Sequence, residues 1–328
     1  MAVVQTGVYV ELQEGVTWSA LRQIATRAEM LGFDVVACSA HLMPLEAPGG
    51  WSLDVWPAMT AAALWTRHIR FGPAVLPVTF YHPAQIARLA AAIDRLSDGR
   101  FELGLGAGRH EDEHRAFGLP FPGHDERLAM LAEGVEVIRR LWSGQRVTFA
   151  GRWYRLEGAR AEPTPIRGWL SIGGNSEASL RLAAAHADEW STTSAPAEEL
   201  AARLRRLDEL LAEARRPTQA IVRTLMNGAI VGRDEGELEQ RAMRLVRLVP
   251  RLAGRPAREV IERLVNEWGW WAGTPAQIAA RAASALRMGF GRVLFQVYDW
   301  EDVAALDLLA EAVVPLLRAE ATAAAAEP

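Results

Sequence analysis

The chain has 328 residues, half of them hydrophobic, with a formal net charge of -4 and an isoelectric point near 6.0. That is enough apolar material for a large core, and the weakly acidic balance gives no electrostatic footprint for nucleic acid. Every basic residue is arginine, and the lone cysteine, Cys38, excludes an internal disulfide and fits a reducing, cytoplasmic setting. No apolar run approaches the roughly 18 residues of a membrane span, and no basic region followed by an apolar core opens the chain, so neither export nor a membrane span is expected.

Short apolar strands alternate with amphipathic helices, the pattern of a parallel sheet covered on its outside. The first strand is predicted over 7–10 and the first helix over 18–31, where Leu21, Ile24, Ala25, Ala28 and Leu31 form one stripe that Gly32 ends. A strand over 34–39 is followed by a loop rich in Gly, Pro and Trp over 41–56. Then come a helix over 56–65, a strand over 69–76 and a helix over 83–96, with Pro83 suited to a first helical position.

Phe101, Leu103 and Leu105 alternate with Glu102, Gly104 and Gly106 as the fourth strand, and a helix follows over 127–142. The run 147–156 alternates around Gly151 and predicts a hairpin within an insertion of about 147–169. Further strands are expected over 170–172, 189–192 and 220–231, with helices over 176–185 and 197–215. The arginine-rich stretch 234–266, helical and broken at Pro250 and Pro256, predicts an elaborated crossover within an insertion of about 234–273 that covers the site. A helix over 275–288, a strand over 293–297 and a helix over 303–319 close the chain, and 321–328 is expected to fray. Eight strand–helix units without a linker predict one α/β domain over 1–328, a (β/α)8 TIM barrel.

Ligand sites in such barrels sit at the carboxyl ends of the strands. The fourth strand ends at Gly104, Gly106 and Gly108 and runs straight into Arg109, His110, Glu111, Asp112, Glu113 and His114. Gly106 and Gly108 remove side chains that would keep a flat ligand from the backbone. Their spacing does not match the dinucleotide fingerprint G-x-G-x-x-G. His110-Glu111-Asp112-Glu113-His114 fits H-E-x-x-H literally, which on one helical face would make a zinc hydrolase. The same acids also suit a helix's first turn, where carboxylates oppose the macrodipole, and that reading needs no metal.

Three stretches carry a family resemblance: Phe71 to Ala84, Asp94 to Gly108, and Ala116 to Phe121. Further runs at Val147 to Tyr154, Ile172 to Ser176, Ala187 to Trp190 and Gly273 to Pro275 continue it. On these the chain resembles the bacterial-luciferase-like superfamily, and most of all its oxidoreductases that use the deazaflavin coenzyme F420. The resemblance implies a flavin-like ring across the strands' carboxyl ends, supported by a non-proline cis peptide near Ala74-Val75. It implies backbone contact from Gly106, Ala107 and Gly108, and a phosphate-binding turn at Gly173, Gly174, Asn175 and Ser176, where amides preceding a helix converge. A strand-to-helix turn capped by Asn175 or Ser176 is the plainer reading of those four residues. A small-molecule substrate and a homodimer are also implied.

Hydride transfer on such a cofactor leaves the protein to position the substrate and manage one proton. The resemblance points to His41 for that proton, just past the second strand, and histidine titrates in the useful range. Arg109 and His110 are further candidates. In the similar sugar-phosphate dehydrogenases a carboxylate follows the glycines, and Arg109 in its place suggests an anionic substrate group or contact with the cofactor tail. Glu11 lies just past the first strand. Among twelve tryptophans, Trp51, Trp190 and Trp271 are expected in the substrate pocket, with Trp56, Trp268 and Trp270 as further wall candidates against a core-packing alternative. The competing readings are a monooxygenase taking reduced FMN from a separate reductase, a zinc hydrolase, and a barrel that binds the cofactor without turnover.

Overall fold

A computed structural model describes residues 4–46 and 51–324. Its strands are β1 (Gln5–Val10), β2 (Val35–Cys38), β3 (Arg70–Pro73), β4 (Leu76–Pro77), β5 (Glu102–Gly106), β6 (Val147–Ala150), β7 (Arg155–Ala159), β8 (Trp169–Gly173), β9 (Glu189–Thr193), β10 (Val222–Val231), β11 (Trp271–Gly273) and β12 (Arg292–Val297). The main sheet has the order β3-β2-β1-β12-β10-β9-β8-β5-β4 and every pairing in it is parallel. It closes on itself where Phe71 bridges Phe101 and the Phe71 amide donates to the Arg100 carbonyl at 3.2 Å. That seam is tight: a Cβ at Gly72 would lie 1.7 Å from the Glu102 carbonyl oxygen, so only glycine lets β3 approach β5. With β3 and β4 counted as one interrupted stave, the barrel has the eight staves the sequence pattern implies.

The strand after the second helix differs from its expected form. Instead of running unbroken over 69–76, it is interrupted at the cis bond between Ala74 and Val75. The hairpin of β6 and β7 is antiparallel as expected. The late insertion holds helices Glu235–Leu248 and Ala257–Asn266 on either side of a short turn at Pro250–Leu252, and they pack around Leu245, Val249, Leu252, Val260 and Leu264. The three-residue strand β11, absent from the expectation, pairs in parallel with the end of β10 at Ala229–Val231. The last helix reaches Ala324, so 321–324, expected to fray, are helical; alanine has the highest helix propensity. Residues 325–328 lie outside the described residues. No described helix is long and apolar enough to cross a membrane.

The amino-terminal end of the barrel is sealed by charge. Arg292, the first residue of β12, donates to Glu102 at 2.7 Å and to Glu189 at 2.8 Å, and Arg70 and Arg167 reach Glu102 at 3.3 and 3.2 Å. These carboxylates and Arg292 are almost wholly buried, yet each charge has partners, which is the condition for burying it. Above them, Tyr9, Val35, Ala37 and Leu294 fill the interior, with Ala74 and Met226 half-exposed toward the other end. The carboxyl-terminal mouth is therefore the end with room for a ligand.

Candidate functional site at the barrel mouth

Inward positions near the mouth are small. A Cβ on Gly106 would lie 2.6 Å from Val75 Cγ2, one on Gly173 would lie 2.8 Å from Val75 Cγ1, and one on Gly104 would meet the Pro73 carbonyl at 2.2 Å. The Val75 side chain thus occupies the space above three inward glycines and forms a half-exposed apolar floor. This revises the reason for Gly106: its missing side chain makes room for Val75, and Val75, with Ala74, is what faces the mouth. Gly108 does adopt a left-handed φ of 80°, and beside it Ala107 leaves backbone half-exposed.

The opposite sector is filled by aromatic rings. Trp270 lies against Gly228, where a Cβ would come within 2.0 Å of the indole, and it stacks on Tyr298 with centroids 5.2 Å apart. Trp268 packs edge-on to Trp270, and the Arg251 guanidinium covers Trp268 at 3.9 Å while pairing with Glu46 at 2.7 Å. Of the expected pocket tryptophans, Trp51 is 68% exposed. Trp190 and Trp271 are buried core residues. Trp190 is fully buried, stacks on Phe290, and donates its indole N–H to the Gly174 carbonyl at 2.8 Å; Trp271 packs on Phe295. Their strand positions turn these side chains outward, under the helices. Trp56 is likewise buried, against Tyr81 and Phe101.

His41, His110 and Arg109 come together. The His41 and His110 rings meet edge to face with centroids 4.9 Å apart, and the exposed Arg109 donates from Nε to His110 Nε2 at 3.0 Å. Burial, with His41 and Arg109 beside it, holds the His110 imidazole below its ordinary value and so keeps it neutral. His41 Nδ1 lies 3.1 and 3.2 Å from the two oxygens of Glu113, and the Leu42 amide donates to the same carboxylate at 3.0 Å. Burial alone would raise the Glu113 carboxyl, but the His41 hydrogen bond and charge and the Leu42 amide outweigh it and hold it below the usual range. Sequence reading missed Glu113 as a partner of His41, because 72 residues separate them.

Glu11 is buried beside this group. It accepts from Gln13 at 2.9 Å and from Gln296, and burial pushes its carboxyl up against the pull of Gln13 and His41. Burial and the Glu11 charge raise the Tyr9 phenol below it.

The zinc reading does not survive these positions. His114 is fully buried; its Nδ1 donates to the His110 carbonyl at 2.6 Å and its Nε2 meets the Thr79 hydroxyl at 2.7 Å, so both ring nitrogens are taken. His110 precedes the six-residue helix Glu111–Ala116 and faces His41, away from His114. Among the described residues no group of three or more His, Cys, Asp or Glu is gathered as a metal would require.

Beyond β8 the chain turns at Gly173, Gly174, Asn175 and Ser176 into the helix Glu177–His186. Ser176 caps it, accepting from the Ser179 amide at 3.2 Å. Gly174 has φ 137°, and a Cβ there would lie 2.7 Å from Ser179 Oγ. With its amide nitrogen toward Thr192 Oγ1 at 2.6 Å, Asn175 presents its oxygen to Arg203 Nη1 at 3.3 Å, which places a guanidinium beside the turn.

Comparison with known proteins identifies relatives of the whole chain. The chain is 32% identical to an F420-dependent glucose-6-phosphate dehydrogenase of Nakamurella multipartita, over 92% of this chain and 93% of that one. It is 34% identical to an F420-dependent hydroxymycolic acid dehydrogenase of Mycobacterium tuberculosis, over 51% of this chain and 46% of the relative. A solved F420-dependent secondary alcohol dehydrogenase, in complex with an F420-acetone adduct, has the same fold, with a TM-score of 0.80, 23% identity, and coverage of 96% of this chain and 99% of that one. The sequence profile of the luciferase-like monooxygenases matches residues 1–298, and with these relatives it establishes that the chain belongs to the luciferase-like monooxygenase family.

Proposed function

We propose that this protein is a coenzyme F420-dependent oxidoreductase acting by hydride transfer on a small organic substrate at the carboxyl-terminal mouth of the barrel. The observation that carries the reading is the half-exposed Val75 floor set over inward glycines, with a histidine cluster at its edge. A flat ring fits such a bed, because Gly106 and Gly173 let the Val75 side chain settle over them and present one apolar surface to the mouth. Ala74, Val75, Gly106, Ala107 and Gly108 would hold the ring and the start of its side arm. The turn Gly173–Ser176 would take the phosphate on amides at a helix entrance, with Arg203 nearby as counter-charge.

When bound, the deazaflavin supplies the hydride chemistry. The protein's own contributions are proton handling and orientation. His41, with Nδ1 committed to Glu113, has Nε2 left to hold or release a proton toward the mouth. His110, kept neutral, packs the outer side of that ring. Arg109 spends one N–H on His110 and has others to offer an anionic oxygen of the substrate. Glu11 and Gln296 border the pocket beneath. Trp51, the exposed one of the expected tryptophans, is proposed at its rim.

A second copy of the chain is proposed to cover the exposed Leu64, Leu89 and Leu96 on the helices Val55–Trp65 and Pro83–Leu96, together with Trp18 nearby. Sedimentation at micromolar concentration should show a dimer. The lone thiol of Cys38 is buried and fits the cytoplasmic location we propose.

The cofactor reading is tested by titrating the protein with F420 and with FMN, oxidised and reduced, while following fluorescence. Tighter F420 binding is expected. Preference for FMN by about tenfold, roughly 1.4 kcal/mol, would move the assignment to a flavin monooxygenase.

A further inference from the structure

We infer that Glu113 is a positioning residue: it fixes His41 in the tautomer that carries its proton on Nδ1, so that Nε2 alone faces the reaction. The inference deepens the function proposed above and rests on it only for the identity of the reaction.

Three contacts converge on one carboxylate. Both oxygens lie within 3.2 Å of His41 Nδ1, the Leu42 amide donates to the same group, and the Glu113 side chain is 1% exposed. An ionised carboxylate only accepts hydrogen bonds, so the imidazole must be the donor at Nδ1. The Leu42 amide adds a second constraint, because it ties the carboxylate to the backbone that carries His41 itself. Rotation of either side chain would break contacts to the other. Glu113 belongs to the helix Glu111–Ala116, next to His114, whose own nitrogens are held by the His110 carbonyl and Thr79. The carboxylate is therefore mounted on a turn that is anchored to the strand end at Thr79. The acids around it differ: Glu111 and Asp112 are exposed, as a solvated first turn should be, and Glu113 alone is buried. In a helix of six residues the macrodipole does not call for burying a charge, and the His41 contact accounts for it.

Other groups face His41. His110 touches the ring edge-on without a hydrogen bond, and Glu11 acts on it through charge, being itself bonded to Gln13 and Gln296. Neither sets which nitrogen is protonated. That choice falls to Glu113.

The test uses full-length, cofactor-free protein labelled with nitrogen-15, studied by long-range proton–nitrogen NMR near pH 8. In the wild type, His41 should show a protonated Nδ1 and an unprotonated Nε2. In Glu113→Gln, whose amide can donate as well as accept, that preference should fall from one dominant form to a mixture, with the melting temperature within a few degrees of the wild type. Glu113→Asp should restore the Nδ1–H form in part. A wild-type His41 with its proton on Nε2 would overturn the inference even if no variant folds, and so would a folded Glu113→Gln protein that keeps the wild-type pattern. A parallel titration separates this result from the function: F420 affinity should change less than threefold in Glu113→Gln. Absence of F420 binding in the wild type would remove the cofactor assignment and leave the tautomer result standing.

Discussion

Val75 and Gly106 are interlocked: the space a side chain on Gly106 would need is held by Val75 Cγ2, 2.6 Å from the position of the missing Cβ. The floor of the mouth is thus made by two strand ends together, one contributing an isopropyl group and the other contributing its absence.

Gly106→Ala should therefore destabilise the fold by about 1–3 kcal/mol through overpacking, and also weaken F420 binding by lifting the floor. Val75→Ala in the same chain should recover part of the stability, since it vacates the contested volume. Thermal melts of both single variants and the double variant give the coupling; strictly additive losses would mean that the two residues do not compete for space.

Gly174 presents a different constraint. Its φ of 137° is open to glycine and few others, and a Cβ would lie 2.7 Å from Ser179 Oγ. Gly174→Ala should lower the melting temperature by several degrees and raise the F420 dissociation constant at least tenfold. Gly291→Ala, where a Cβ meets nothing within 4 Å, should change neither. Calorimetry and fluorescence titration check the pair.

Arg292→Met removes the guanidinium shared by Glu102 and Glu189 and leaves Glu189, which has no other ion pair among the described residues, as a buried carboxylate held by the Trp169 indole N–H at 3.2 Å. The expected loss is about 3–5 kcal/mol in chemical denaturation, although methionine fills similar volume. The barrel mouth lies at the opposite end, so F420 affinity in the surviving folded fraction should stay within about twofold.

Acid should weaken the fold in a defined window. Burial holds His82 below its ordinary value, and burial with nearby arginines does the same for His186 and, with His41 also contributing, for His110. A histidine whose folded-state value is depressed favours the native state above the unfolded value of about 6.5, and that contribution is lost as pH falls through the folded value. Glu113, also depressed, extends the loss to lower pH. Melting temperature should be flat from pH 8 to 7 and fall from about pH 6.5 downward, and His186→Gln should flatten the upper part of that fall. Glu11, Glu46 and Glu189, which burial raises, act in the opposite sense, so the check is the comparison of variants: a fall left unchanged in His186→Gln would contradict the depressed His186 imidazole.

The staves and helices of the barrel were readable in the chain because each obeys a local rule. Pro83 at a first helical position, Gly32 after the first helix and the Phe101–Gly106 alternation each signal an element within a few residues of where it stands. The late insertion broke at Pro250 and Pro256 as proline requires. The split of the third stave was less legible: the resemblance pointed to the bond between Ala74 and Val75, but no periodicity marks it.

The candidate site was legible in part and for a consistent reason. His41, Arg109 and His110 all follow strands, and closing eight parallel staves brings strand ends to one rim whatever their separation in sequence. Which of their neighbours would meet them was not decided locally. Glu113 belonged to an acid run that suits a helix start and a metal motif equally, and only its packing against His41 chooses a role for it. Trp190 and Trp271 read as pocket aromatics until their strands turned them under the helices. Local order in the sequence, set by side-chain periodicity and backbone preference, determined the elements and their succession. Tertiary structure alone decided which groups touch, because contacts across the barrel depend on where closure places each rim residue, and no spacing along the chain encodes that distance.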